Sequence, residues 1–277
     1  MKIVSIGEVL WDVIGSEEHL GGAPFNFSAH ARKLSHEVLF VSAVGADERG
    51  DRILDRMTGL GLSTRYVTRV PDQPTGSVTV TLDPAGQPSY VIHRPAAYDF
   101  PRLSQAELES VFSPAPDWIY FGTLQQMSSV AKQLTLQLLD RSRSVPRMYD
   151  VNLRDRSYQP AQVRELMSRA TLLKLNEQEV LRIEAMFDRG SASLEDFCRN
   201  YADEFGFESV CVTRGAAGCA LLMNGEYLEA PGYPVKISDA VGAGDAFAAA
   251  LLHGIGCGWL PARTADFANR VGALVAG

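Results

Sequence analysis

The 277 residues, 46% hydrophobic and 21% charged, are enough to bury a sizeable core and match the composition of an ordinary soluble globular chain. A formal charge of −7, from 26 Lys+Arg against 33 Asp+Glu, excludes a general attraction to nucleic acid or anionic membrane, so an anionic substrate has to be held locally. Cys198, Cys211, Cys219 and Cys257 show no CxxC or zinc spacing and are too sparse for a disulfide framework, which points to a reducing cytoplasm, and the five scattered histidines offer no pair for a structural metal.

In chain order, residues 3–7 form a short β-branched run with too little apolar length for a signal peptide. They read as a buried first strand that delivers residues 8–12 at its carboxyl end. Asp12 is then either a ligand at the rim or a loop carboxylate in water. Gly21-Gly22-Ala23-Pro24-Phe25-Asn26 opens a helix that runs through Leu34. Paired glycines let the main chain press against a small molecule, and Asn26 can donate and accept to hydroxyls if it faces the loop; the simpler reading is a turn. A second strand spans residues 38–44, and Asp47 behind it is placed to cap the helix running to Leu60 or to bond a ligand.

Residues 76–94 alternate differently. Val78, Val80 and Leu82 interleave with Ser77, Thr79 and Thr81, a turn follows at residues 83–86, and Tyr90 and Ile92 resume the pattern. This predicts a hairpin with one apolar face that leans on the rest of the chain as a lid, joined by a strand from residues 11–20, or else edge strands of the main sheet. Beyond residue 117, strands at 118–121, 147–151, 171–175 and 209–213 alternate with helices, the first of them over 128–143. Polar residues recur just past the strand ends: Gln125, Asp150, Asn152, Arg154, Asn176 and Arg214. The fold class is therefore α/β, a mostly parallel central sheet with helices on both faces and one ligand-bearing rim, and no repeat or linker divides residues 1–277 into further domains. Asn176 and Glu179, three apart at a helix start, are either a nucleotide-phosphate and Mg²⁺ pair or an N-cap with its dipole charge.

The segment Asp239-Ala240-Val241-Gly242-Ala243-Gly244-Asp245-Ala246-Phe247 carries the most chemistry. A glycine-broken loop entering an alanine-rich helix is an anion cradle, because the first N–H groups of the helix lack partners and the dipole favours negative charge. A carboxylate beside such a cradle repels its ligand unless it takes a proton, so Asp245 reads as a general base for an attacking hydroxyl or as a first-turn charge. The uncharged run from residue 246 to 262 is shorter than a membrane span and reads as a buried helix.

Taken in order, these pieces resemble the ribokinase-like (PfkB) carbohydrate kinases, and within them the fructokinase-like branch. The likeness rests on Gly21-Gly22 with Asn26, Gly45-Ala46-Asp47 with Gly50, Asn176 with Glu179, Thr213 with Gly215 and Gly218, Asp239 through Asp245, and the stretches 95–99 and 150–154. It implies ATP-dependent phosphorylation of a sugar hydroxyl, with fructose the expected sugar, Asp245 the base, and the Gly242, Ala243, Gly244 and Asp245 amides the anion hole. It also implies Asp12, Gly21, Gly22, Asn26, Gln125 and Arg154 as sugar ligands. Asn176, Thr213, Gly215, Gly218 and Asn269 would line the nucleotide groove, and Glu179 would meet Mg²⁺ through water. Asp239 belongs to a segment where many members hold a monovalent cation such as K⁺, though Ala240 replaces their usual Thr. A phosphorylated or acidic sugar would need extra cations, for which Arg94 and Arg154 stand available. Members usually continue for another helix and strand past residue 277, so the resemblance leaves the outer edge of the nucleotide site open. A homodimer through the lid, covering Val78, Val80 and Leu82, is expected. Two other classes compete. An NAD-linked dehydrogenase lacks its GxGxxG after the first strand, and a catalytically weak sugar-binding regulator would not need Asp245.

Overall fold

The computed structural model describes residues 1–82, 88–141, 144–236 and 241–277. In chain order its strands are β1 (Lys2–Ile6), β2 (Leu10–Ile14), β3 (Glu17–Gly21), β4 (Glu37–Gly45), β5 (Val67–Val70), β6 (Gly76–Leu82), β7 (Pro88–Ile92), β8 (Trp118–Gly122), β9 (Arg147–Asp150), β10 (Leu172–Asn176), β11 (Ser209–Thr213), β12 (Cys219–Met223) and β13 (Glu226–Ala230). Its α-helices are α1 (Ala23–Lys33), α2 (Glu48–Gly59), α3 (Gln105–Val111), α4 (Ser129–Arg141), α5 (Pro160–Met167), α6 (Glu177–Met186), α7 (Leu194–Phe205), α8 (Ala243–Gly256) and α9 (Pro261–Ala276).

Nine strands form the main sheet in the order β13-β12-β11-β10-β9-β8-β1-β4-β5. The pairings from β5 to β11 are parallel, while β12 and β13 run antiparallel at one edge. That antiparallel edge and β5 are absent from the sequence reading. Because strand side chains alternate, a strand buried on both faces divides its apolar residues between two cores. Val4, Ile6, Phe121, Tyr149, Leu173 and Val210 pack with the helices α3 to α7 on one face. Ile3, Phe40, Tyr120, Met148, Leu172 and Cys211 pack with α1, α2, α8 and α9 on the other.

The lid is larger than the expected hairpin. It is a separate four-stranded sheet in the order β3-β2-β6-β7, and residues 10–21 supply two of its strands, with β2 parallel to β6. The main strand β1 stops at Ile6, so Asp12 stands on the lid strand β2, not in a loop past the main sheet. The expected turn at residues 83–86 lies outside the described residues. Val78 and Val80 are buried against this chain's own Leu10, Ala96, Tyr98 and Leu124, which removes the reason for a second copy to cover them. Among the described side chains of the lid, Ile14, Tyr90 and Val91 are the exposed large apolar ones. The uncharged run 246–262 is divided: α8 ends at Gly256 and α9 begins at Pro261. Among the described residues no helix is long and apolar enough to cross a membrane.

Candidate active site

The carboxyl ends of the parallel strands and the open face of the lid meet across a cleft of about 550 Å³. Tyr90 and Ile92 of β7 line one wall, and Leu153, Arg154, Asn176 and Glu179 line the other. A second cavity, about 590 Å³, lies at the opposite end of the sheet. Lys2 Nζ there donates to Val111 O (2.8 Å) and Pro114 O (2.5 Å), Arg32 Nε donates to Gly61 O (3.0 Å), and the Arg65 guanidinium lies over the Tyr66 ring. The cavity assembles no reactive constellation, so the chemistry belongs to the rim cleft.

α8 starts at Gly242, whose φ of 77° a side chain would disfavour. The Asp245 N–H donates to Gly242 O (3.1 Å), so the donors left for an anion lie earlier in the turn, toward Ala243 and Gly244. Asp245 is half-buried, and its Oδ2 accepts from Asn26 Nδ2 at 2.9 Å. Asn26 is thus one turn into α1 and faces the glycine loop from across the α1–α8 packing. Stacking of Phe27 on Tyr120, centroids 3.8 Å apart, fixes the rotation of α1 that allows this.

Beneath the loop lies a buried ion pair that the sequence reading did not single out. Lys174, in the middle of apolar β10, donates to both oxygens of Asp150 (3.0 and 3.2 Å), and Tyr120 OH donates to Asp150 Oδ2 (3.0 Å). A Cβ placed on Gly244 would stand 3.6 Å from Lys174 Nζ, which locates the ammonium directly under the cradle. The available signal was a lysine inside Leu-Leu-Lys-Leu-Asn, since a lysine in a two-sided apolar strand is nearly always paired. Burial opposes the charge on Lys174, but Asp150, Glu179 and Asp245 outweigh it and its pKa is raised. Burial pushes Asp245 up from 3.8 to about 6, helped by Asp150 and opposed by Lys174, Asn26 and Arg154.

The sugar-side candidates converge. Gly21 lies against Asp12, and a Cβ there would come within 2.4 Å of Asp12 Oδ2. Gly22 has φ 105° and presses on the Glu8 carbonyl. Burial raises the pKa of Asp12, with Arg154 and His19 opposing. Arg154 is exposed at the cleft wall, and its charge acts on Glu8, Asp12 and Asp245. Gln125 is fully buried; its Nε2 donates to Tyr98 O (2.9 Å), while its Oε1 has no partner among the described residues. Arg94 is committed to Leu124 O (2.9 Å) and Asp99, so it is not the spare cation expected of it. Asp47 accepts from Gly50 N (2.8 Å), Thr75 N (2.8 Å) and Thr75 Oγ1 (2.6 Å), which makes it a helix cap and a tie to the lid.

Of the residues expected on the nucleotide side, Asn176 and Glu179 form a complete capping box. Asn176 Oδ1 accepts from Glu179 N (2.9 Å), and Glu179 Oε2 accepts from Asn176 N (2.9 Å). Glu179 Oε1 also accepts from Leu153 N (2.7 Å), so the buried carboxylate joins the ends of β9 and β10. Burial raises its pKa, with Lys174 opposing. Among the described residues no group of three or more His, Cys, Asp or Glu could hold a metal ion. With both Glu179 oxygens engaged by backbone, a metal beside this carboxylate would have to meet it through water. Thr213 ends β11, Gly215 and Gly218 bound the next turn, and a Cβ on Gly218 would stand 2.1 Å from Ala230 O. Asn269 is buried and donates to Ala230 O (3.3 Å) and Pro231 O (3.1 Å), so it secures that groove wall from α9. Asp239 and Ala240 lie outside the described residues.

The chain is similar to known proteins over nearly its whole length. A fructokinase of Klebsiella pneumoniae is 27% identical over 96% of this chain and 88% of its own. The structure of a fructokinase with bound ATP from Xylella fastidiosa superposes with a TM-score of 0.89 at 22% identity, covering 99% of this chain and 92% of that one, which establishes the fold alone. An uncharacterized sugar kinase from Pyrococcus horikoshii in complex with ATP superposes at 0.83, 26% identical, with the same coverage of 99% and 92%. Residues 2–277 match the pfkB family carbohydrate kinase profile, and the chain belongs to that family.

Proposed function

We propose that this chain transfers the γ-phosphoryl group of MgATP to a hydroxyl of a free sugar, with fructose the first candidate. The observation that carries the reading is Asp245: a half-buried carboxylate at the mouth of an anion-binding helix end, held by Asn26 on the sugar side and backed by Lys174 on the phosphate side. The resemblance assigns the same role to this position, and fructose is favoured because named fructokinases recur among the relatives.

In the reaction the sugar hydroxyl gives its proton to Asp245 as its oxygen attacks the γ-phosphorus. The bond from that phosphorus to the β,γ-bridging oxygen breaks, and ADP leaves. With its pKa raised by burial to about 6, Asp245 is mostly ionised at pH 7 and more basic than a free aspartate, as a base that takes the hydroxyl proton has to be. The early α8 amides and Lys174 meet the charge that spreads over the transferring oxygens. Glu179, beside Asn176, would hold a nucleotide-borne Mg²⁺ through its waters, and that metal would supply positive charge against the phosphates. Asp12, Asn26 and the Gly21–Gly22 main chain orient the sugar, and closure of the lid over it excludes water that would otherwise take the phosphoryl group.

Purified protein with MgATP should release ADP in proportion to added sugar across a panel of fructose, other hexoses, pentoses, sugar acids and nucleosides, with fructose giving the highest kcat/KM. No sugar-dependent ADP anywhere on the panel would remove the kinase reading. Sugar binding by calorimetry without turnover would favour the regulatory alternative.

A further inference from the structure

Phosphoryl transfer needs the attacking oxygen and the phosphoryl group held in register, so the two halves of the cleft have to be fixed against each other. Tyr120 of β8 touches the supports of both. It is 0% exposed, and its ring lies flat on Phe27, 3.8 Å between centroids and 9° between planes. Phe27 follows Asn26 directly in α1, and successive helical residues point about 100° apart, so seating Phe27 on the sheet turns Asn26 to the glycine loop, where its Nδ2 donates to Asp245 Oδ2 at 2.9 Å. The hydroxyl at the other end of the same side chain donates to Asp150 Oδ2 at 3.0 Å. Tyr120 pairs with Met148 across β8 and β9, which puts Asp150, two residues further on, on the same face of the sheet. Asp150 in turn accepts from Lys174 Nζ at 3.0 and 3.2 Å, under Gly244. A buried ion pair keeps a single geometry when its remaining lone pairs are satisfied, and the tyrosine hydroxyl satisfies one of them.

The geometry points to Tyr120 as a positioning residue that sets the two halves of the site against each other: its ring fixes the turn of α1 that brings Asn26 to Asp245, and its hydroxyl fixes the Asp150–Lys174 pair beneath the phosphate cradle. The inference rests on the kinase reading, with Asp245 the base and Lys174 facing the transferring group. Fully buried, Tyr120 meets neither substrate and acts only through the residues that do. Burial and the neighbouring Asp150 hold its pKa well above the ordinary tyrosine value, so the hydroxyl stays a donor. Both supports start from one side chain on a strand inside the sheet, paired with β1 on one side and β9 on the other, and a rigid strand places side chains more accurately than a loop.

The test separates the two halves of Tyr120 in the full chain. Tyr120→Phe removes the hydroxyl and keeps the stack, whereas Phe27→Leu removes the stack and keeps the hydroxyl. Coupled-enzyme turnover gives kcat and both KM values, and calorimetry gives sugar affinity. In Tyr120→Phe, kcat falls at least about fivefold while the sugar KM and sugar affinity stay within about twofold of the parent. In Phe27→Leu the sugar KM rises at least about fivefold while the KM for MgATP stays within about twofold. A merely structural Tyr120 would lower thermal stability in both variants without this split between kcat and KM. Parental kcat in Tyr120→Phe overturns the inference, and because that variant lacks a single oxygen it decides the matter even if Phe27→Leu does not fold. A parental sugar KM in folded Phe27→Leu overturns it equally. Turnover retained by Asp245→Asn would instead sink the base assignment, whereas an inactive Asp245→Asn beside Tyr120→Phe at parental kcat would sink the Tyr120 inference alone.

Discussion

Asp245→Asn should make the protein slower and more stable at once, and the size of each effect follows from the same surroundings. The amide retains an acceptor for Asn26 and the shape of the carboxylate, but it cannot take a proton. Turnover is expected to fall at least about 10²-fold, the lower end for losing a general base. The folded chain holds Asp245 at about 6 against 3.8 for the free group, equivalent to a cost of up to about 3 kcal/mol for its charged form. The residue is only half-buried, and solvent screening reduces this to on the order of 1–2 kcal/mol. Between pH 4 and 6 the folded state binds more protons than the unfolded state, so parental stability falls as pH rises through that interval and stays lowered above it. The variant lacks this loss. Its advantage should be complete at pH 8, about 2–3 °C in Tm, and absent by pH 4. Calorimetric melts of both proteins at the two pH values, with coupled-enzyme turnover at pH 8, measure the prediction. A variant less stable than the parent at pH 8, or a difference independent of pH, would refute the picture of a desolvated Asp245 facing Asp150. Undiminished turnover would remove it from the chemistry.

Two further substitutions probe either side of Asp245. Lys174→Met leaves Asp150, 0% exposed, with only the Tyr120 hydroxyl, so urea unfolding should show a loss of about 3–5 kcal/mol together with collapse of turnover; a loss below about 1 kcal/mol would mean that the buried pair is not ionised as drawn. Gly21→Ala places a methyl about 2.4 Å from Asp12 Oδ2 and must push that carboxylate aside, raising the sugar KM at least about tenfold while the KM for ATP holds; an unchanged sugar KM would take Asp12 out of the sugar site.

Much of the main sheet was readable because its signals are local. A short β-branched run such as Ile3-Val4-Ser5-Ile6, closed by glycine, can scarcely be anything but a buried strand, and polar residues behind four such runs marked the rim. β12 and β13 were missed because an antiparallel edge pair needs no crossover helix, so Cys219–Met223 and Glu226–Ala230 lack the alternation of strand and helix that revealed the others. The lid was half seen. Its β6–β7 half shows clean alternation, whereas Leu10–Ile14 and Glu17–Gly21 follow β1 so closely that they read as its exit loop. The candidate site divides in the same way. Gly242 and Gly22 announce backbone conformations that only glycine adopts readily, so they are legible one at a time. The roles of Lys174 and Asn269 depend on partners 24 and 38 positions away on other elements of the fold, and no short window of sequence contains them.

The sequence by itself determined the alternation of strands and helices, the rim on which polar residues gather, and the glycine loop that ends in Asp245, because each follows from propensity, period and backbone freedom within a few residues. Only the tertiary structure decided that Asn26 reaches Asp245 across 219 positions of chain, that Lys174 and Asp150 lie paired beneath the loop, and that Glu179 reaches the Leu153 N–H past the end of β9. Those arrangements follow from the rotation of α1 and the parallel register of β9 and β10, which are properties of packed layers, where burial makes each charge depend on the partner the fold brings to it.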